Sequence, residues 1–112
     1  TPVIVETREE NSFMIDPAEL KRHITKKTKA LILNYPSNPT GLTYDRATLE
    51  AIAALAVEHD FFVVSDEIYE KLVYDGAEHV CFASLGEEVK KNTLVVNGLS
   101  KSHAMTGWRI GY

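Results

Sequence analysis

Three short apolar runs constrain this chain most: Ala30–Leu33, Phe61–Val64 and Thr93–Val96 are each of strand length, and none alternates with polar residues. A strand wetted on one side reads apolar and polar in turn, so an unbroken run marks a strand covered on both faces, as in a parallel sheet flanked by helices. After the first run, Leu49, Ile52, Ala53 and Ala56 fall at i, i+3, i+4 and i+7, the spacing of one buried helical face. Asp45 stands where that helix needs a cap, and the pattern predicts its end near His59. Asp16 and Pro17 open a shorter helix reaching about Arg22. Two segments, Pro2–Thr7 and Arg109–Tyr112, also read as strands. The expected fold class is α/β, a mostly parallel sheet flanked by helices.

Composition narrows the function classes. With 112 residues and 45% hydrophobic content the chain can bury one core, the amount expected of a single domain. A net charge of −4 with scattered Lys and Arg lacks the basic stripe of a nucleic-acid surface. No apolar run is long enough to cross a bilayer as a helix, which argues against a membrane partner. Cys81 is the single cysteine, so an internal disulfide is impossible and a cytoplasmic location is expected. His23, His59 and His79 show no ligand-like spacing with Cys81, and no metal site is expected.

Each apolar run gives way at its carboxyl end to small and polar residues: Asn34 to Asn38, Ser65 to Tyr69, and Asn97 to Lys101. In open α/β sheets ligands bind beyond the carboxyl ends of the strands, so these clusters have two readings, one convergent site or ordinary solvated loops. The closing segment Ser100–Tyr112 adds chemistry. It holds Lys101 and Arg109 with no acid after Glu88 to pair them. A desolvated lysine amine is a nucleophile, and an arginine fork grips phosphate. Together they suggest a Schiff base to pyridoxal phosphate, with ordinary surface cations as the plainer alternative.

Asn38-Pro-Thr-Gly41, Ser65-Asp-Glu-Ile-Tyr69 and the closing segment, in that order and spacing, resemble the fold-type I pyridoxal-phosphate aminotransferases of class I/II. Asn34–Gly41 and Ala104–Arg109 are most similar to the aspartate aminotransferase subgroup. The resemblance implies that Lys101 forms the Schiff base with the cofactor aldehyde and, once displaced by substrate, moves the proton between substrate and cofactor. It implies that Asp66 keeps the pyridine nitrogen protonated, that Tyr69 and Asn38 bond the ring oxygen, and that Arg109 with Ser100 holds the phosphate. It also implies a cis bond before Pro39. Each residue keeps a plainer role: Asp66 as a helix cap, Tyr69 in aromatic packing on the same helical face, Asn38 as a turn residue.

Gly98 stands where many similar enzymes place a phosphate-binding serine. His103 is expected in the cofactor pocket or in packing, and Glu67 and Glu70 on the solvated outer face of their turn. Similar enzymes are several times longer, so the resemblance makes residues 1–112 the central part of a cofactor-binding large domain, with its small domain and both flanks missing and no activity on its own. Chain ends that fall inside apparent strands fit that expectation. The implied activity is transamination between an amino acid and a 2-oxo acid in a homodimer, with aspartate and 2-oxoglutarate as the first pair to test. A carbon–sulfur lyase or another fold-type I enzyme, and the aminotransferase-like sensor domain of a transcription regulator, are the alternatives.

Overall fold

The computed structural model describes residues 1–112, and its elements follow the apolar pattern. In chain order they are α1 (Pro17–His23), β1 (Ala30–Asn34), α2 (Arg46–His59), β2 (Phe62–Asp66), α3 (Glu87–Lys91), β3 (Thr93–Val96) and the single turn α4 (Leu99–Ser102). The strands form one sheet in the order β1-β2-β3, all parallel. Parallel neighbours require a crossover, which α2 supplies between β1 and β2 and α3 between β2 and β3.

Local chemistry sets the helix ends. The Asp16 carboxylate accepts from the Ala18 amide at 2.8 Å, and the Asp45 carboxylate from the Thr48 amide at 2.7 Å. That bond to Thr48 holds the Asp45 carboxyl below its usual range. α2 stops at Asp60, which turns into the left-handed region at φ 51°. Its apolar stripe, Leu49, Ile52, Ala53, Leu55 and Ala56, packs with Leu20 of α1, Leu33 of β1, Val63 of β2 and Phe82 into one core. Leu49 and Ile52 are fully buried, and each contributes on the order of 1.5–3 kcal/mol by leaving water.

The sheet is covered on one face only, against the expectation from the unbroken runs. Leu33, Val63 and Ser65 are buried, whereas Ile32, Phe62 and Leu94 are 76%, 60% and 60% exposed. The reason is where the helices send their side chains. Leu20, Leu49, Ile52 and Val89 all join the core of Leu33 and Val63, and strand residues of the opposite parity face outward. Pro2–Thr7 also departs from expectation: it pairs with no strand, leaving Val3 and Ile4 exposed. Arg109–Tyr112 is no strand of the parallel sheet either, but folds back to form one antiparallel bridge between Gly111 and Gly98.

Candidate active site

Parallel strands in register bring the three polar clusters to one edge. Asn34, Asp66 and Val96 are register partners at the carboxyl ends of β1, β2 and β3. The Asp66 carbonyl accepts from the Tyr35 amide and from the Asn34 side chain, both at 3.1 Å, which ties the loop after β1 to the end of β2. That loop closes on itself through Gly41 N to Ser37 O at 2.7 Å and Ser37 N to Leu42 O at 2.9 Å, and Asn38 sits exposed within it. The Tyr35-Pro36 and Asn38-Pro39 peptides are both cis, the second as the resemblance implied.

Tyr69 connects the clusters. The Asn38 amide lies 3.5 Å from its hydroxyl, and Lys101 Nζ lies 5.6 Å from its ring centroid, within the range of a cation–π contact. The segment after β2 is a series of turns rather than a helix, so Asp66 and Tyr69 share no helical face. Asp66 does act as a local cap there, accepting from the Ile68 amide at 3.2 Å. Its carboxylate, Lys101 and Arg109 all lack an ion-pair partner within 4.0 Å, so the charges of this edge are not spent on one another.

The chain reversal after α4 places Arg109. Asn97 N donates to Tyr112 O at 2.7 Å, Tyr112 N to Asn97 O at 2.9 Å, and Leu99 N to Ile110 O at 3.2 Å. This brings Ser100, Lys101, Thr106 and Arg109 around an open pocket of about 460 Å³. Arg109 takes a left-handed conformation, φ 56°, and one of its nitrogens donates to Thr106 O at 2.8 Å. Asp66, Tyr69 and Asn38 do not line this pocket; Tyr69 adjoins it through its contact with Lys101, and Asn38 adjoins Tyr69. Gly98 has a steric reason, since a Cβ there would stand 2.8 Å from Ile110 O and 3.2 Å from Ile68 Cδ1.

Three residues differ from expectation. Glu67 is not on an outer face but 1% exposed, because side chains alternate at the end of β2 and Glu67 points to the core side with Ser65. Its carboxylate accepts from Ser65 Oγ at 2.9 Å, the Phe82 amide at 3.0 Å and His79 Nε2 at 2.7 Å. Burial pushes its carboxyl up, yet the bonds from His79, Phe82 and Ser65 outweigh it and hold the group below its usual range. Glu70 is half-buried, with a carboxylate oxygen within 4.8 Å of a carboxylate oxygen of Glu67 and a ring nitrogen of His79. His103 neither lines the pocket nor packs; it is exposed, with Nδ1 2.8 Å from Ser102 Oγ.

A parallel α/β sheet with an unpaired lysine, carboxylate and arginine at its carboxyl edge is of the class in which ligands bind beyond the strand ends. All of residues 1–112 match the family described as aminotransferase class I and II, and the chain belongs to it. It is 58% identical to an aspartate aminotransferase of Bacillus sp. (strain YM-2) over 99% of its own length and 28% of that protein's. It superposes on an aromatic aminotransferase from Pyrococcus horikoshii OT3 with a TM-score of 0.94 at 50% identity, covering 98% of this chain and 29% of that one. An aspartate aminotransferase from Thermus thermophilus with maleate gives 0.89 at 55% identity, covering 97% and 28%. The chain thus spans little more than a quarter of the length of these relatives.

Proposed function

We propose that residues 1–112 are the central part of the large domain of a longer pyridoxal-phosphate-dependent aminotransferase, which moves an amino group between an amino acid and a 2-oxo acid. The observation that carries this reading is the run of contacts Asn38–Tyr69–Lys101, which joins the segments after β1, β2 and β3 beside a pocket lined by Arg109. The donor set suits the cofactor: a lysine amine for its aldehyde, a carboxylate for its ring nitrogen, a phenol and an amide for its ring oxygen, and an arginine for its phosphate. When bound, pyridoxal phosphate supplies an electron sink for the bond broken at the substrate α-carbon.

The residues of the chain do the rest. Lys101 anchors the group and then carries the proton released at the α-carbon, a task suited to an amine without an anionic partner. Asp66 holds a proton at the ring nitrogen, and so stabilises charge that develops only as the reaction proceeds. Tyr69 and Asn38 orient one ring edge. Arg109, with Ser100 lining the same pocket, would hold the phosphate. The reaction is ping-pong, with aspartate and 2-oxoglutarate as its first candidate pair. Relatives at or above 50% identity include both an aspartate and an aromatic enzyme, so substrate choice lies largely beyond this segment. A homodimer working in the cytoplasm completes the proposal; no helix here is long and apolar enough to cross a membrane.

The test uses the full-length protein. It should be yellow as purified, and borohydride should bleach it and leave the label on Lys101. A label on another lysine, or no aldehyde cofactor at all, overturns the assignment.

A further inference from the structure

Glu67 is a buried carboxylate that the chemistry above does not use. It follows Asp66 directly, and the two side chains leave the end of β2 on opposite sides, Glu67 buried among core residues and Asp66 half-exposed at the site edge. The peptide joining them is held from both flanks. Asp66 O accepts from Tyr35 N and Asn34 Nδ2 on the β1 side, and Glu67 N donates to Val96 O at 2.9 Å on the β3 side. The Glu67 side chain then reaches across a long irregular connection to take the Phe82 amide and the His79 ring, while Glu70 N donates to its carbonyl at 2.9 Å.

We infer that Glu67, with His79 as its donor, is a positioning residue for the cofactor site, fixing the turn that presents Asp66 and Tyr69. The inference rests on the cofactor reading above. An apolar side chain of similar volume would fill the space, but three donors converge here, and only an ionised carboxylate accepts all three without having to donate. His79 is placed for this. Its side chain is 9% exposed, Nε2 lies 2.7 Å from the Glu67 carboxylate, and buried Nδ1 has no other partner to draw the ring away. The 2.7 Å separation is that of a hydrogen bond; two ligands of one zinc ion would stand farther apart, at roughly 3.3 Å for bonds of about 2.0 Å. Tyr35 closes the network from the other side, its ring centroid 5.3 Å from that of His79 and its hydroxyl donating to Val80 O at 2.9 Å.

Anchoring of this kind acts on catalysis through geometry, since displacing a reacting group by about 1 Å costs up to ~100-fold in rate. The experiment compares Glu67→Gln, His79→Gln and His79→Ala in the full-length enzyme loaded with pyridoxal phosphate. Glu67→Gln keeps the volume and can still accept from Ser65 and Phe82, but its amide nitrogen cannot accept from His79 Nε2, so one anchor is lost while folding should survive. The expected result is full cofactor content, kcat lowered roughly 10- to 100-fold with KM nearly unchanged, and a moved pH midpoint of the cofactor's visible band. His79→Gln, which keeps an N–H donor, should restore most of what His79→Ala loses in both readouts. Parental kcat and parental band in Glu67→Gln, with only a lower Tm, overturn the inference. If Glu67→Gln does not fold, the His79 pair decides: equal loss in Gln and Ala, or none in either, also overturns it. If the parental enzyme itself carries no aldehyde cofactor on Lys101, the functional reading fails and takes this inference with it.

Discussion

Two adjacent carboxylates at the end of β2 live in opposite surroundings, and each makes a distinct prediction. Asp66 is half-exposed and accepts one bond, from the Ile68 amide. If it holds the ring nitrogen, Asp66→Ala should lower kcat by about 100-fold or more while cofactor affinity falls far less, since the charge it stabilises grows during the reaction. Equal losses in turnover and cofactor binding would assign it to the cap alone. Glu67 is buried, and its folded-state carboxyl lies below the usual range. A group whose pKa is depressed by folding contributes stability that is complete above the unfolded value, near 4.3, and is lost as pH falls through the folded one. Thermal denaturation should therefore show an acid limb that begins below about pH 4.3 and is shallower in Glu67→Gln. Burial drives the Tyr35 phenol and the Cys81 thiol upward, with the charge of Glu67 adding to it, so neither takes part in that acid limb.

At the scale of elements, the site depends on a contact between two glycines. The Gly98–Gly111 bridge returns Arg109 to the neighbourhood of Lys101, and it leaves no room for a side chain at position 98. Gly98→Ala should force Ile110 away and destabilise the full-length chain by about 1–3 kcal/mol, with faster loss of cofactor measured by absorbance on dilution. Gly107→Ala is the control, since a Cβ there meets nothing within 4 Å. Much of this architecture was legible in the sequence. The i, i+3, i+4 spacing of Leu49 to Ala56 and the cap at Asp45 give α2 almost to the residue, because local hydrogen bonds and one apolar stripe decide it. The turn signals in Asn34–Gly41 and the polar ends of the three strands marked where each strand stops, whereas their meeting at one edge depends on the parallel register. Glu67 was not legible, because its burial depends on His79 and on the Phe82 amide 15 positions away. Nor was the fold-back of Arg109–Tyr112, whose apolar run looks like any strand until Asn97 pairs with Tyr112. The period-2 signal that would have marked an open sheet face is absent, since both faces of the strands are apolar.

At the scale of the whole molecule, that open face is the feature that demands an explanation. Ile32, Phe62, Leu94 and Val96 form it at 76%, 60%, 60% and 40% exposure, beside the strand ends that carry Asn34 and Asp66. Strands apolar on both sides suit a sheet covered on both sides, and contiguous apolar surface of this kind marks a contact rather than a wetted wall. The relatives are more than three times longer, and we expect other parts of the same large domain to pack here in the full-length protein. Phe62 then belongs to a second core. Phe62→Ala in the full-length chain should cost about 3–5 kcal/mol, the range of a buried phenylalanine and comparable to Phe61→Ala in the core described above. Its neighbours in β2 should also exchange amide hydrogens only through global unfolding. A cost within about 0.5 kcal/mol would mean that solvent reaches Phe62 and that the face is open in solution. Residues 1–112 expressed alone should show the reverse of the full-length behaviour: self-association and binding of a hydrophobic dye, both relieved by Phe62→Lys. The same face thus links stability to function, because Asn34 and Asp66 share the parity of Ile32 and Phe62, so whatever covers Ile32, Phe62 and Leu94 packs on the side of β1 and β2 that carries them.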